Sequence, residues 1–366
     1  MKRVTSKRPK IRRVALPLAT LVARLAMPAQ GWDLPSFCTL LGAVAFSGLL
    51  VIGCPRTVQA EEALMLEGKI RLGDVRGRLD HLAVDLDRRR LFIAELGNDS
   101  LGVVDLAGEK LLGRIGGLKE PTGVGYLPAT DTIYVASGAE GAVYRFGGKD
   151  LAPLGHTALG SDADNVRIDA PANQVVVGYG RGALALLDSA SGRKTGEIPL
   201  AGHPESFQLE MAGPRIFVNV PDGHEIAVVD RKAMRQVARW ALADARSNFP
   251  MALEDTGERL LVVYRRPPTL AAFDTSNGHL VARLRVCGDA DDIFFDAKRQ
   301  RIYISCGEGF IAVIQRRGDA YEVLAHIPTV SGARTALFVP ERDRLYLAVR
   351  ASNGEPPAIW IFRPER

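Results

Sequence analysis

The sequence predicts an all-β protein, a seven-bladed β-propeller with four antiparallel strands per blade, and three observations predict it. An apolar strand opened by a basic or polar residue recurs at Arg90, Thr132, Asn173, Arg215, Arg259, Arg301 and Arg344. Taking Phe92, Tyr134, Val176, Phe217, Leu261, Tyr303 and Tyr346 as equivalent gives spacings of 42, 42, 41, 44, 42 and 43 residues, the period of a propeller blade. Each unit divides into short apolar runs separated by turn formers, and no stretch reads as a long amphipathic helix.

The 366 residues are 47% apolar, 24% charged and 7% aromatic. That composition supplies a large core and excludes a disordered chain, a collagen and a multispanning membrane protein. Residues 1–60 read as an export leader. A basic opening, MKRVTSKRPKIRR, precedes a charge-free stretch from Leu34 to Pro55 with the apolar centre FCTLLGAVAFSGLLVI. Three fates compete for it: cleavage after Ala60, lipidation at Cys54 in the lipobox-like Val51-Ile52-Gly53-Cys54, or retention as an N-terminal anchor. The expected location is the periplasm, with the membrane reached only through the leader. Nine of the 47 Lys and Arg residues and one of the 42 Asp and Glu residues lie in that leader, so residues 61–366 carry a net charge of −3. With no Lys/Arg cluster interleaved with aromatics in that body, nucleic acid is not an expected partner.

Residues 61–366 form the propeller. In its first unit His81–Asp85, Leu91–Glu95, Leu101–Asp105 and Leu111–Ile115 are the four strands, counted outward from the centre. Asn and Gly in the turns Ser189-Ala-Ser-Gly192 and Thr275-Ser-Asn-Gly278 are expected to supply positive φ. The seventh unit has strands near Thr335–Val339, Leu345–Val349 and Ile359–Phe362 and then stops. Its fourth strand is expected from Leu64–Leu72, which closes the ring and removes an open sheet edge. Of four cysteines, Cys38 and Cys54 lie in the leader. Cys287 precedes the innermost strand of the sixth unit and Cys306 ends the next, at one end of an antiparallel pair, which suits a disulfide. Two small buried apolar residues are the alternative.

Leu79-Asp-His-Leu-Ala-Val-Asp85, Leu91-Phe-Ile-Ala-Glu-Leu-Gly-Asn-Asp-Ser-Leu-Gly-Val-Val-Asp105 and Cys287-Gly-Asp-Ala-Asp-Asp-Ile-Phe-Phe-Asp296 with Tyr303-Ile-Ser-Cys-Gly-Glu-Gly309 carry a resemblance. Over residues 64–366 the chain resembles the bacterial YVTN-type or YncE-like seven-bladed propellers, grouped with the quinoprotein amine dehydrogenase-like propellers. The resemblance implies the fold, and it implies little about activity, because such propellers serve as scaffolds, binders and enzymes.

The innermost strands of a propeller line its central channel, so their first residues ring one mouth. Counting back from the seven equivalent positions places Asp80, His81, Asp164, Asn165, Glu205, Asp291, Asp292 and Arg334 there. Carboxylates, a histidine and an arginine in one concavity suit a small-molecule or protein ligand. The excess of acids favours a cation or an amine. A divalent cation such as Ca²⁺ would suit the oxygen-rich set, as in the propeller lactone hydrolases, and a metal-assisted hydrolase or lyase is the alternative to a binding module. No nucleophile sits beside a base in these motifs, so the catalytic residues are unknown and both classes stay open. Asp and Asn before a strand also serve as plain turn formers.

Overall fold

A computed structural model describes residues 63–366 apart from 243 and 353. The leader expectations, with Cys38, Cys54 and the cleavage site after Ala60, lie outside the described residues. The chain enters through β1 (Leu64–Arg71) and then builds blades in order. The first comprises β2 (Leu82–Asp85), β3 (Arg90–Glu95), β4 (Ser100–Asp105) and β5 (Lys110–Gly116), and the second β6 (Pro121–Leu127), β7 (Thr132–Ser137), β8 (Ala142–Gly147) and β9 (Pro153–Ala158). The third holds β10 (Ala163–Asp169), β11 (Gln174–Tyr179), β12 (Ala183–Asp188) and β13 (Lys194–Pro199), and the fourth β14 (Phe207–Leu209), β15 (Arg215–Val220), β16 (Glu225–Asp230) and β17 (Arg235–Ala241). The fifth holds β18 (Arg246–Leu253), β19 (Arg259–Arg266), β20 (Pro268–Asp274) and β21 (Leu280–Arg285), and the sixth β22 (Ala290–Asp296), β23 (Arg301–Cys306), β24 (Phe310–Arg317) and β25 (Ala320–Pro328). The seventh is β26 (Thr335–Val339), β27 (Arg344–Val349), β28 (Ala358–Pro364) and β1.

Every pairing within a blade is antiparallel, and the expected closure is present. β1 runs against β28 from Leu64 opposite Pro364 to Arg71 opposite Ala358. Leu64, Ile70 and Leu72 are buried along this seam, and each such side chain contributes about 1.5–3 kcal/mol of transfer free energy. Glu67 adds charge pairing with Arg344 and Arg363.

The middle strands of each blade are covered on both faces by the neighbouring blades, which is why they read as unbroken apolar runs rather than alternations. β7 is buried at all six positions, whereas the outermost strand of the same blade, β9, is exposed at five of six. Buried side chains gather in seven clusters among the described residues, and each spans the interface between two adjacent blades. The core is therefore a ring of interfaces around the channel. Three-residue 3₁₀ turns follow β3, β6, β10 and β26, each followed by Asp99, Asp131, Asn173 or Asp343 in the left-handed region. Asp and Asn tolerate that conformation better than other side chains.

One expectation about turns is corrected. In Thr275–Gly278 only Gly278 takes positive φ, at 75°. Asn277 contributes its side-chain oxygen, which accepts the His279 N–H at 2.7 Å.

Candidate functional site

The starts of the inner strands do converge on one end of the channel. Asp80, His81, Asp164, Asn165, Glu205 and Asp291 line one small cavity there, together with Arg78, Ser206 and Phe249. The cavity holds about 30 Å³, room for one or two water-sized groups. Asp292 and Arg334 are not in its wall. Asp292 lies beneath, its Oδ1 3.5 Å from His81 Nδ1 and its Oδ2 accepting the Ala336 N–H of the next blade at 2.8 Å. Arg334 stands behind Asp291, with Nε 2.8 Å from Asp291 Oδ2 and Nη1 donating to Asp289 at 2.7 Å.

The expectation that acids outnumber a single arginine is corrected. Arg265, at the end of β19 in the fifth blade, donates to Asp291 at 2.7 Å and lies 4.0 Å above the Phe249 ring. Arg78 donates to Asp80 at 2.7 Å and reaches within 3.9 Å of Asp291. His203 has Nδ1 2.5 Å from the Gly180 carbonyl and Nε2 3.8 Å from Asp164. The mouth is a ring of matched charges drawn from six blades.

Arg78, His203, Asp162 and Asp289 were not among the residues expected here, yet the repeat holds a signal for them. Counting back fourteen from the seven equivalent positions gives Arg78, Glu120, Asp162, His203, Ser247, Asp289 and Gly332, so a second register of the same repeat supplies much of the missing charge. Arg265 has no such signal. It comes from the loop side of a second strand and reaches the mouth only because blades five and six are adjacent.

Turn formation does not explain these acids. Asp80, Asp164, Asp291 and Glu205 accept no backbone N–H among the described residues, and the one amide bound by Asp292 belongs to another blade. Among the described residues, three buried polar atoms of the cavity-lining side chains make no hydrogen bond: Asn165 Oδ1, on a side chain 3% exposed, Arg78 Nε, and Asp291 Oδ2, which has only its ion pair with Arg334. Burial first, then the nearby Asp164 and Asp291 charges, push the Glu205 carboxyl up to about 8. Burial likewise raises Asp80 to about 7 against the pull of His81 and Arg78. His81 is drawn down by burial, but Asp292, Asp80 and Asp164 outweigh that and carry it to about 10. Burial therefore favours the protonated form of Glu205, and the facing carboxylates favour the protonated form of His81.

The donor set does not fit Ca²⁺, which takes six to eight oxygens. Asp291 and Asp80 are held by arginines, and Asp292 by an amide and His81. Among the described residues the only three His, Cys, Asp or Glu ligand atoms within 4.8 Å of one another belong to Cys287, Cys306 and Glu308. There the two sulphurs are bonded to each other, with the Cα atoms 5.9 Å apart. That disulfide sits just before Asp289 and Asp291 and ties the acidic loop to the end of β23.

No protein-family model matches the sequence, and no curated protein matches it. Many solved structures resemble it in shape, among them the following two. The Kuenenia stuttgartiensis hydrazine synthase matches at 16% identity and TM-score 0.66, over 77% of this chain and 96% of that one. A chain of the mitotic checkpoint complex matches at 11% identity and TM-score 0.70, over 88% of this chain and 98% of that one. At such identities the likeness establishes the seven-bladed propeller fold and nothing finer.

Proposed function

We propose that this chain is an exported, YncE-like propeller that acts as a binding module, taking the amine of a small molecule or a protein partner into the mouth of its channel. Its body is expected in the periplasm. The observation that carries the reading is the unpartnered acceptor Asn165 Oδ1 in the wall of a cavity that Glu205 also lines, inside a ring of paired charges. An unpaired buried acceptor is costly, and a ligand N–H removes that cost. The space admits one ammonium-sized group, so the remainder of the ligand lies outside the ring. Arg78, Asp80, Asp164 and Asp291 would orient it.

A melting screen of the full chain with methylamine, ethanolamine and putrescine, against acetate and Ca²⁺, tests the reading, because a ligand bound only by the folded state raises the midpoint. The amines should raise it, and Glu205→Ala should abolish the rise. No rise with any amine overturns the reading. A rise with Ca²⁺ that a chelator reverses favours the metal-assisted hydrolase instead. Export is checked separately by fractionating cells that express the full chain.

A further inference from the structure

Behind the mouth the channel widens into a cavity of about 430 Å³, within the range of small-molecule sites. His81, Ser206 and Asp292 form its floor at the mouth, and Leu253, Phe295 and Pro340 line its far end. Between them the wall is mixed, polar and apolar surface being about equal over the cavity, with the apolar side chains Val124, Ile168, Ile293 and Leu337 contributed by four different blades. Arg167 of β10 lines this same cavity.

Arg167 differs from the arginines of the mouth. Arg78, Arg265 and Arg334 each have a carboxylate at ion-pair distance, whereas among the described residues Arg167 has none. Its Nη1 donates to the carbonyl of its neighbour Val166 at 3.0 Å, and its Nη2 reaches Ser206 Oγ only at 3.5 Å. Its guanidinium carbon lies 5.6 Å from the Phe207 ring. Burial pulls its pKa below the usual arginine value, and Asp292 and Asp164 oppose that only from a distance. Arg167 is half-buried; a partly desolvated cation without a counter-ion is unfavourable, and an entering anion relieves it.

We propose that the channel interior is a second ligand site, separate from the mouth, which binds a small organic carboxylate with its carboxylate on Arg167 and its apolar body against Phe295 and Phe338. The unused N–H groups of the guanidinium match a carboxylate bidentately. Asp164 and Asp292 disfavour a second negative charge beside it, which selects a monoanion over a phosphate. The apolar far wall selects a ligand with a hydrocarbon body over a compact ion.

The test is calorimetric titration of the full chain with octanoate, octanol and octylamine. Octanoate should bind at least about tenfold tighter than the other two, the ratio expected for one charge-assisted pair. Arg167→Gln should bring octanoate to the level of octanol while leaving octanol within about twofold, and Arg167→Lys should retain part of the preference. Octanoate binding no tighter than octanol in the parent overturns the proposal, as does a preference that survives Arg167→Gln. One arm needs no variant: octanoate should protect Arg167 from phenylglyoxal modification, read by peptide mass, and modification at an unchanged rate counts against the site.

Discussion

Aspartates occupy two regions of this propeller, and at the mouth two of them, Asp80 and Asp291, shift oppositely to those in the turns. Asp105, Asp188, Asp230 and Asp274 end third strands, and each accepts a backbone N–H two or three residues on, at 2.8–2.9 Å. Hydrogen bonds from the turn hold all four below the usual carboxylate range. At the mouth, burial raises Asp80, Asp291 and Glu205 instead, and the charges facing Asp80 and Asp291 only partly offset it, whereas at Asp164 burial is outweighed by His203, His81 and Arg78 and the carboxyl is lowered. The same residue type in the same repeat is a turn device in one place and a strained charge in the other. What decides is burial: the turn carboxylates stay near solvent and accept local amides, whereas these mouth carboxyls are desolvated.

The largest effect that sharpens this contrast is expected from the disulfide, because it anchors only the mouth side. It closes a sequence separation of 19 residues, for which chain entropy gives about 3 kcal/mol. Replacing Cys287 and Cys306 together by Ser should lower urea-melt stability by that amount. If alkylation of the parent finds both thiols free, the bond is absent and no such loss should appear. Asp291→Asn comes next, at about 2 kcal/mol, since Arg265 and Arg334 lose their shared carboxylate. A loss indistinguishable from zero would mean that the ring is not held by these pairs.

Acidity separates the two regions by sign. For Glu205, Asp80, His81 and His203 the folded pKa is raised, to about 8, 7, 10 and 9. The folded state then holds more protons than the unfolded one, so stability falls as pH rises from about 4.5 to 10. The histidine share is fully present below about 6.5 and is lost as pH climbs through 9 to 10. Glu205→Gln should flatten the part between about pH 5 and 8, with a gain of about 1 kcal/mol at pH 8 after discounting for solvent screening. A curve of unchanged slope in that variant would remove Glu205 from the account. The turn aspartates act in the other direction: their share is present above the unfolded value of 3.8 and lost in acid. Asp188→Ala is the smallest case, a fall of about 1–2 °C in melting temperature at neutral pH.

The strands and the seven units were legible in the sequence, because their apolar runs are dictated by burial on both faces, whereas Asp105, Asp188, Asp230 and Asp274 were not singled out, although their chemistry is local. The closing role of Leu64–Leu72 was legible too, because a blade of three strands leaves an edge that some segment must cover. The mouth was legible only in outline. Asp80, Asp164, Glu205 and Asp291 follow from one register of the repeat, but that register says nothing of Arg265, which arrives from a neighbouring blade. Arg167 left no mark at all. A basic residue inside an inner strand looks like solvent-facing alternation until the ring closes around it.

The pairing of β1 with β28 also fixes when the molecule can become complete. Leu64 meets Pro364, so the last sheet joins segments about as far apart as the folded domain permits, and such distant contacts form late and slowly. Until the seventh blade is in place the ring stays open, with the first strand waiting for its partner. During that interval the unpaired edge of β28's neighbours and the idle β1 are each a template for pairing with another chain. The seam that makes the finished ring continuous is thus also the stretch most open to mispairing while the molecule folds.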